Sequence, residues 1–551
     1  MTYDYIIAGG GSSACVAASR LVAEQGARVL LLERGPAKFS WLMRLPAGYM
    51  KFLARDTFLE MHQAVPQQQL GGRAPIVPQA KVLGGGSSVN AMVYMRGQRE
   101  DYDGWDVFLG GASGWSYDDM LPVFRGMEGN ERLNDAYHNA SGPLQVSDPG
   151  HIAEMSRAFM LAVQAKGLPY NTDFNGATQR GVGPMQNTFG RGRSGRLERC
   201  DAVRAFLTGV IKNPLLSVQT GALVTRIVVE SGRAVGVEYR KDGQTHVARA
   251  EQEVLVATGT YNTAKLLMLS GLGPADHLKQ HGIGVVADLP GVGQNLQDHH
   301  EVPVIAATRR AAGYFGEDRG WRMVRNGLQY YAFGTGPVTT IGVDCCAFYD
   351  PDGGARPTIQ LYCAPIVYLD RDVTDQKATH GVTFTSCLLR PKARGSVALR
   401  SADPADKPLV DSRFFGHPED LRLTIASLRF AREILATSPV AALIDHEMLP
   451  GSEARSDADL QAFSAKTVKT NYHPVGTARM GPDGDPLAVL DAHLRVRGVD
   501  GLRVIDCAAM PMIPSGNTNA PALAMGSRAA TLIMAEQRHE AGAAMSRMAA
   551  R

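Results

Sequence analysis

Cysteine is scarce in this chain of 551 residues. There are seven, an odd number, at positions 15, 200, 345, 346, 363, 387 and 507. So few thiols exclude a disulfide framework and fit a reducing cytoplasm. Cys345 and Cys346 are adjacent, so on a strand they would face opposite sides and read as core packing. An excess of either charge is also missing: 57 Lys and Arg stand against 54 Asp and Glu, a net +3. That excludes the concentrated basic footprint of a nucleic-acid binder, and the run Arg191, Arg193, Arg196, Arg199 reads as a solvated loop. No stretch of about 18 residues is apolar throughout, the length a spanning helix needs. The best candidate, Ala520 to Ala535, is interrupted by Arg528. A first strand expected from about Tyr3 leaves no room for a secretory leader. The expected location is cytoplasmic, and peripheral attachment to a membrane is compatible with it. A Gly-Lys pair is absent, hence no Walker A loop, and so is G-x-S-x-G, hence no serine-hydrolase elbow. His299-His300-Glu301 lacks spaced Cys or His partners, and neighbouring side chains diverge, so no metal site is expected.

What is present begins at the N-terminus. Tyr5-Ile6-Ile7-Ala8 reads as a strand, Gly9-Gly10-Gly11-Ser12-Ser13-Ala14 as a tight turn, and the residues to about Glu24 as a helix. A second strand, Arg28 to Leu32, ends at Glu33. This is a βαβ dinucleotide fingerprint. Gly9 permits the turn, Gly11 lets a pyrophosphate approach the helix N-terminus, and small Ala14 lets helix and strand pack closely. Glu33 stands where a carboxylate accepts a ribose hydroxyl.

A second glycine block, Gly84-Gly85-Gly86-Ser87-Ser88-Val89-Asn90, runs into Ala91, Met92 and Val93. A simple nicotinamide domain has no need of it, whereas a longer cofactor with a bulky ring system does. Its backbone N–H groups can wrap phosphate and ribityl oxygens. Val254-Leu255-Val256-Ala257 and Leu502-Arg503-Val504-Ile505-Asp506 read as buried strands of the same sheet, separated by a long excursion. Within the excursion, Gly381–Leu389 and Gly395–Arg400 alternate as an antiparallel hairpin would, and Leu421 to Leu435 reads as a helix. No repeat appears. The tail from about Glu536 reads as fraying helix.

These blocks resemble, in order and over nearly the whole length, the glucose-methanol-choline (GMC) type of flavoprotein oxidoreductase. The resemblance is carried by the two glycine blocks, Gly259-Thr260 through Gly273, Gly291 through His299, His473-Pro474-Val475-Gly476-Thr477, and Ser515-Gly516-Asn517-Thr518-Asn519-Ala520-Pro521. Gly167 through Gly176 and Leu389 through Gly395 resemble choline-dehydrogenase-like and sorbose-dehydrogenase-like members. The implied fold class is α/β: a discontinuous Rossmann-like FAD-binding domain (1–155, 200–300, 465–540) and an inserted α+β substrate domain on an antiparallel sheet (156–199, 301–464), with a tail at 541–551. Two departures stand out. Ala264 replaces a usual Pro or Ser, and Val89 stands where some members attach flavin through histidine, so FAD is expected to bind non-covalently.

The implied reaction is oxidation of an alcohol, with hydride passing to flavin N5 and the hydroxyl proton to a base. Histidine suits that base. His473, heading its Pro/Gly motif, is the expected one, and Asn519 is expected to orient the hydroxyl, with Asn517 read as a turn residue. The cofactor-binding set is expected to be Gly9, Gly11, Ser12, Ser13, Ala14, Glu33, Gly84, Gly86, Ser87, Asn90, Ala91, Met92, Val93, Val224, Asp506, Ala520 and Pro521. The helix beginning near Ala522 would present its N-terminus to the flavin pyrimidine edge. The expected substrate is a neutral polyol, sugar or primary alcohol, because few acids flank the motifs to balance a quaternary amine. The electron acceptor is expected to be a quinone or O2. The competing readings are a non-redox relative, either a hydroxynitrile lyase or a fatty-acid photodecarboxylase, and a flavin carrier without turnover. The decarboxylase reading wants a cysteine where Val343 stands.

Overall fold

The computed structural model describes residues 2–37, 40–53, 57–368 and 377–549. The first strand, β1 (Thr2–Ala8), the helix α1 (Ser12–Gln25) and β2 (Val29–Glu33) form the expected βαβ unit. The glycine turn exists because the chain must reverse against its neighbour. Gly9 sits at φ +97°, and a Cβ there would come 2.3 Å from the Ala257 carbonyl oxygen.

Two seven-stranded sheets organise the molecule. In the first, the order is Leu216–Thr220, β2, β1, Gln244–Val256, Arg233–Lys241, Leu223–Glu230, with Leu502–Val504 added beside Gln244–Val256. Val254–Val256 pairs in parallel with both β1 and Leu502–Val504, while the N-terminal half of the same strand runs antiparallel to Arg233–Lys241. The central parallel strands carry buried apolar runs, Ile6–Ala8 in β1, Val29–Leu32 in β2 and Val254–Val256. β2 is buried at every position. The C-terminal ends of β1, β2, Gln244–Val256 and Leu502–Val504 open into one crevice, where a doubly wound sheet takes its ligand.

The second sheet is antiparallel. Its order is Ile444–Leu449, His300–Thr308, Gly381–Leu388, Ile359–Ala364, Cys345–Tyr349, Gly181–Pro184, with Lys469–Thr470 beside His300–Thr308. The helix Pro418–Leu435 packs against it, and its inward residues Leu423, Leu428, Ala431 and Ile434 share a core with Phe384 and Leu361. Cys345 joins that core and Cys346 the core on the opposite face. All seven cysteines are free.

Three expectations need correction. Gly381–Leu388 does not form a hairpin with the segment after Gly395. Its partners are His300–Thr308 and Ile359–Ala364, while Ser396–Ala398 pairs with Leu409–Asp411. The last helix begins at Asn519, earlier than Ala522, and runs to Ala549. Arg199 is buried, unlike Arg191 and Arg193. Among the described residues no helix is long and apolar enough to cross a membrane, and no His/Cys/Asp/Glu group could hold a metal ion.

Candidate active site

A cavity of about 1110 Å³ runs from the crevice of the first sheet to the face of the second. Gly11, Ser12 and Gly86 line its inner end. Gly11 caps α1 and Gly85 caps the short helix Gly86–Val89 without any side-chain hydrogen bond, and α1 has no acid in its first turn. Both helix starts therefore keep N–H groups available for an anion. The two glycine blocks lean on each other: the Gly84 N–H donates to the Gly10 carbonyl at 2.7 Å. A Cβ on Gly85 would come 2.8 Å from the Gly11 Cα. A dinucleotide pyrophosphate fits this cradle, and a side chain on either block would narrow it.

Arg199 underlies the second block. Its guanidinium donates to the Ser87 carbonyl (2.9 Å), the Asn90 carbonyl (2.7 Å) and side-chain oxygen (2.8 Å), and the Met43 carbonyl (2.9 Å). Burial lowers its pKa to about 10. In the sequence it looked like one more arginine of a surface run, and only its register, one residue past Glu198 on a short strand, distinguishes it.

Of the residues expected around the cofactor, Gly9, Ser13, Glu33, Asn90, Ala91, Met92, Val93, Val224 and Asp506 also line the cavity. Ala14, Gly84, Ser87, Ala520 and Pro521 do not. Ala14 is fully buried within α1, and Ser87 spends its hydroxyl on the Gly84 carbonyl and the Ala202 N–H. Val89 is on the wall. Glu33 braces the glycine turn, accepting the Gly10 N–H at 2.9 Å and the Gly35 N–H at 2.7 Å. Burial pushes its carboxyl pKa up against those two bonds. Asp506 is similarly engaged, accepting from the Gly259 N–H, the Thr263 hydroxyl and the Ala508 N–H.

His473 lies where the two sheets meet. Its backbone N–H donates to Asp298 at 3.0 Å, and the preceding Tyr472 is held at φ +64°, an unusual value for a tyrosine. Gly476, at φ +94°, passes Asn295 so closely that a Cβ would come 2.7 Å from its carbonyl oxygen. The His473 ring is fixed at both nitrogens: Nδ1 is 3.1 Å from His299 Nδ1, and Nε2 is 3.2 Å from Asn517 Nδ2. The tautomers follow from the network. His299 Nε2 faces the Leu389 carbonyl at 2.9 Å and must donate to it. His299 Nδ1 is then an acceptor, so His473 Nδ1 carries the proton. His473 Nε2 is left with a bare lone pair, toward which Asn517 directs an N–H.

Burial sets the charge states. His299 is lowered to about 4. His473 falls well below the ordinary imidazole value, through burial and the nearby His299. Burial raises Asp298 to about 7. Asn519 is placed otherwise than expected. It lines the cavity, but its side-chain oxygen accepts from the Ser12 hydroxyl at 3.0 Å, which ties the last helix to the first glycine turn. Asn517 is the amide that meets the histidine, and its Oδ1 also accepts from the Tyr362 hydroxyl at 3.3 Å. Sequence reasoning missed His299 as a partner of His473. A histidine ending a Gly-rich segment and preceding a strand was the available signal.

The wall around His473 includes Ile341, Val343, Tyr362 and Ile366. Glu301 reaches the same cavity, but its carboxylate pairs with Lys469 at 3.2 Å, so the two present no net charge.

The family models described as GMC oxidoreductase match residues 3–301 and 391–526. The chain is 38% identical over 540 residues to the mitochondrial choline dehydrogenase of Homo sapiens, covering 96% of this chain and 89% of that one. It is also 38% identical to the alcohol dehydrogenase [acceptor] of Pseudomonas putida, over 97% and 96%. Among solved structures it is similar to pyridoxine 4-oxidase from Mesorbium loti, with a TM-score of 0.86 and 28% identity over 96% and 98% of the two chains.

Proposed function

The chain belongs to the GMC oxidoreductase family and is an FAD-dependent oxidoreductase acting on alcohol CH–OH groups, and we infer that His473 is its general base and Asn517 the group that orients the substrate hydroxyl. The observation that carries this reading is the bare His473 Nε2 with the Asn517 amide 3.2 Å away. Two groups so spaced can both reach one oxygen. When bound, FAD supplies the acceptor for the hydride leaving the alcohol carbon. His473 Nε2 takes the hydroxyl proton. The Asn517 N–H turns from the imidazole to the oxygen and stabilises its developing negative charge. His299 keeps the productive tautomer by accepting the Nδ1 proton, and Asp298 holds the backbone that carries the ring. In this reading Asn517, whose amide meets His473, takes the hydroxyl-orienting role expected of Asn519. Asn519 instead joins the two helix starts at the cofactor.

The substrate reading is a neutral alcohol, polyol or sugar. Glu301, neutralised by Lys469, offers no counter-ion to a quaternary amine. A choline-type substrate is the second reading, favoured by the likeness to choline dehydrogenases. Val89 has no nucleophilic atom, so no covalent link to FAD forms at that position, and the reading is a non-covalently held cofactor. Anaerobic bleaching of the yellow protein across a panel of neutral alcohols and choline tests the substrate class, and bleaching by choline alone would reverse the assignment. Acid precipitation should release the chromophore into solution. Colour retained in the pellet would contradict the non-covalent reading.

Two further outcomes are expected here. Glu33→Ala should lower FAD retention by roughly one to two decades, since a charge-assisted hydrogen bond lost at a buried site costs about 1.5–3 kcal/mol. Equilibrium dialysis of the variant checks this, and unchanged affinity would remove Glu33 from the cofactor contact set. The pH profile follows from the direction of the His473 shift. Its pKa is depressed, so the base is neutral and competent throughout the neutral range and is lost only on acidification below the ordinary histidine value of about 6.5. Stopped-flow flavin reduction should stay level from about pH 9 down to about that value. A midpoint above it would mean that the titrating group is not this buried imidazole.

A further inference from the structure

The helix Gly320–Phe333 is built the wrong way round for a core helix. Its polar Asn326 and its Tyr330 hydroxyl point inward. Asn326 donates to the Glu317 carbonyl and carboxylate, and Tyr330 donates to the Leu197 carbonyl at 2.9 Å. On the opposite side Trp321, Val324, Leu328 and Tyr331 recur at spacings of three, four and three, which is one helical stripe. They are 72%, 45%, 61% and 54% exposed, and Phe333 at the helix end is 78% exposed. Trp41, on the short helix Trp41–Arg44, is 63% exposed and lines the same cavity as Met323 and Tyr331. The apolar stripe therefore borders the cavity mouth.

The charge on this face has one predominant sign. The helix carries Arg322 and Arg325 and no acid, and Arg319 precedes it. Lys51 flanks it, and Arg196 stands over the Tyr331 ring at 5.1 Å. Against these five cations stand Glu317, paired with Arg322 and Arg325, and Asp318, paired with Lys51 and Arg319. Among the described residues the face stays net positive. Tryptophan, tyrosine and leucine on one side of a helix, flanked by arginine, match the interface of a bilayer, where the aromatic rings sit at headgroup level and the cations meet anionic lipid.

We propose that the helix Gly320–Phe333, with Trp41, docks on the surface of an anionic phospholipid bilayer and sets the cavity mouth against it. The helix lies in the interface plane and does not span. An alcohol or electron acceptor dissolved in lipid then has a path to the cavity that avoids water.

The test is flotation of the FAD-loaded protein with phosphatidylcholine vesicles made with and without phosphatidylglycerol. Wild type should float with the anionic vesicles and much less with the neutral ones. The double variant Trp321→Ser/Leu328→Ser should lose about tenfold or more of that binding, because the apolar contact is most of the anchor. It should keep alcohol-dependent reduction of a water-soluble dye, since neither residue lines the cavity. A readout on wild type needs no variant. Trp105 and Trp115 are fully buried, so brominated phosphatidylcholine mixed into the phosphatidylglycerol vesicles should quench only the Trp41 and Trp321 emission. Protein that stays at the bottom of the gradient with both vesicle types, or emission that bromine leaves unchanged, overturns the proposal. So does a concentration-dependent dimer that the double variant abolishes, which would assign the face to a second copy of the chain.

Discussion

His473→Ala should leave FAD bound while anaerobic flavin reduction by an alcohol slows by about 10²–10⁴-fold, the usual worth of a positioned general base. The geometry explains why no neighbour substitutes. His299, the nearest imidazole, has Nε2 committed to the Leu389 carbonyl and is lowered to about 4 by burial. With the His473 ring gone it would face the vacated space with Nδ1, but His299 itself is fully buried and does not line the cavity. The loss should appear in the half-reaction with alcohol and not in the reoxidation that follows, and single-turnover kinetics separate the two. Wild-type reduction rates in the variant would place the base elsewhere.

Asn517→Ala and Asn519→Ala should part company. Removing the Asn517 amide takes away a donor aimed at the reacting oxygen, and in a dry site one such donor is worth about 10²–10³ in rate. The variant should keep the wild-type pH profile, because the proton still goes to His473. Asn519→Ala removes a hydrogen bond to Ser12, so its effect belongs to cofactor affinity. A neutral hydrogen bond contributes about 0.5–1.5 kcal/mol, which is at most about a decade. Stopped-flow reduction and FAD titration of both variants check the division. If Asn519→Ala proved the slower in chemistry at full flavin occupancy, the roles would be exchanged.

Those two asparagines mark where a sequence stops being readable. β1, α1 and β2 are legible because their signals are local: alternation, a glycine turn, an apolar face. The convergence of Val254–Val256 with Leu502–Val504 is legible because the first is a short apolar run and the second one broken only by Arg503, and each ends at a turn. Asn517 and Asn519 differ by two positions at a helix start, and which amide meets His473 depends on how the last helix sits on α1. That packing is non-local. The same is true of Gly381–Leu388, whose alternation marked it as a strand while its partners lie about 80 residues upstream and about 20 upstream along the chain. Arg199 and the stripe of Gly320–Phe333 fail in opposite directions. A basic run is ordinarily solvated and an apolar helical stripe is ordinarily buried, and here each is inverted.

The crevice is assembled from both ends of the chain. Val256 accepts the Ile505 N–H at 2.9 Å, Arg20 donates to the Ser527 carbonyl at 2.7 Å, and Gly526 lies so close to α1 that a Cβ would come 2.1 Å from the Ser13 carbonyl oxygen. During synthesis, then, the ribosome releases the glycine turn more than 480 residues before the segment that completes its surroundings. Over that interval the emerging βαβ unit has neither its last parallel strand nor its covering helix. Pairings so distant in sequence are slow to form because a long loop must close before any contact offsets the cost. The crevice is accordingly complete only late in the life of the polypeptide, and a chain truncated ahead of Leu502 would lack the edge strand, Asp506 and the covering helix that close it.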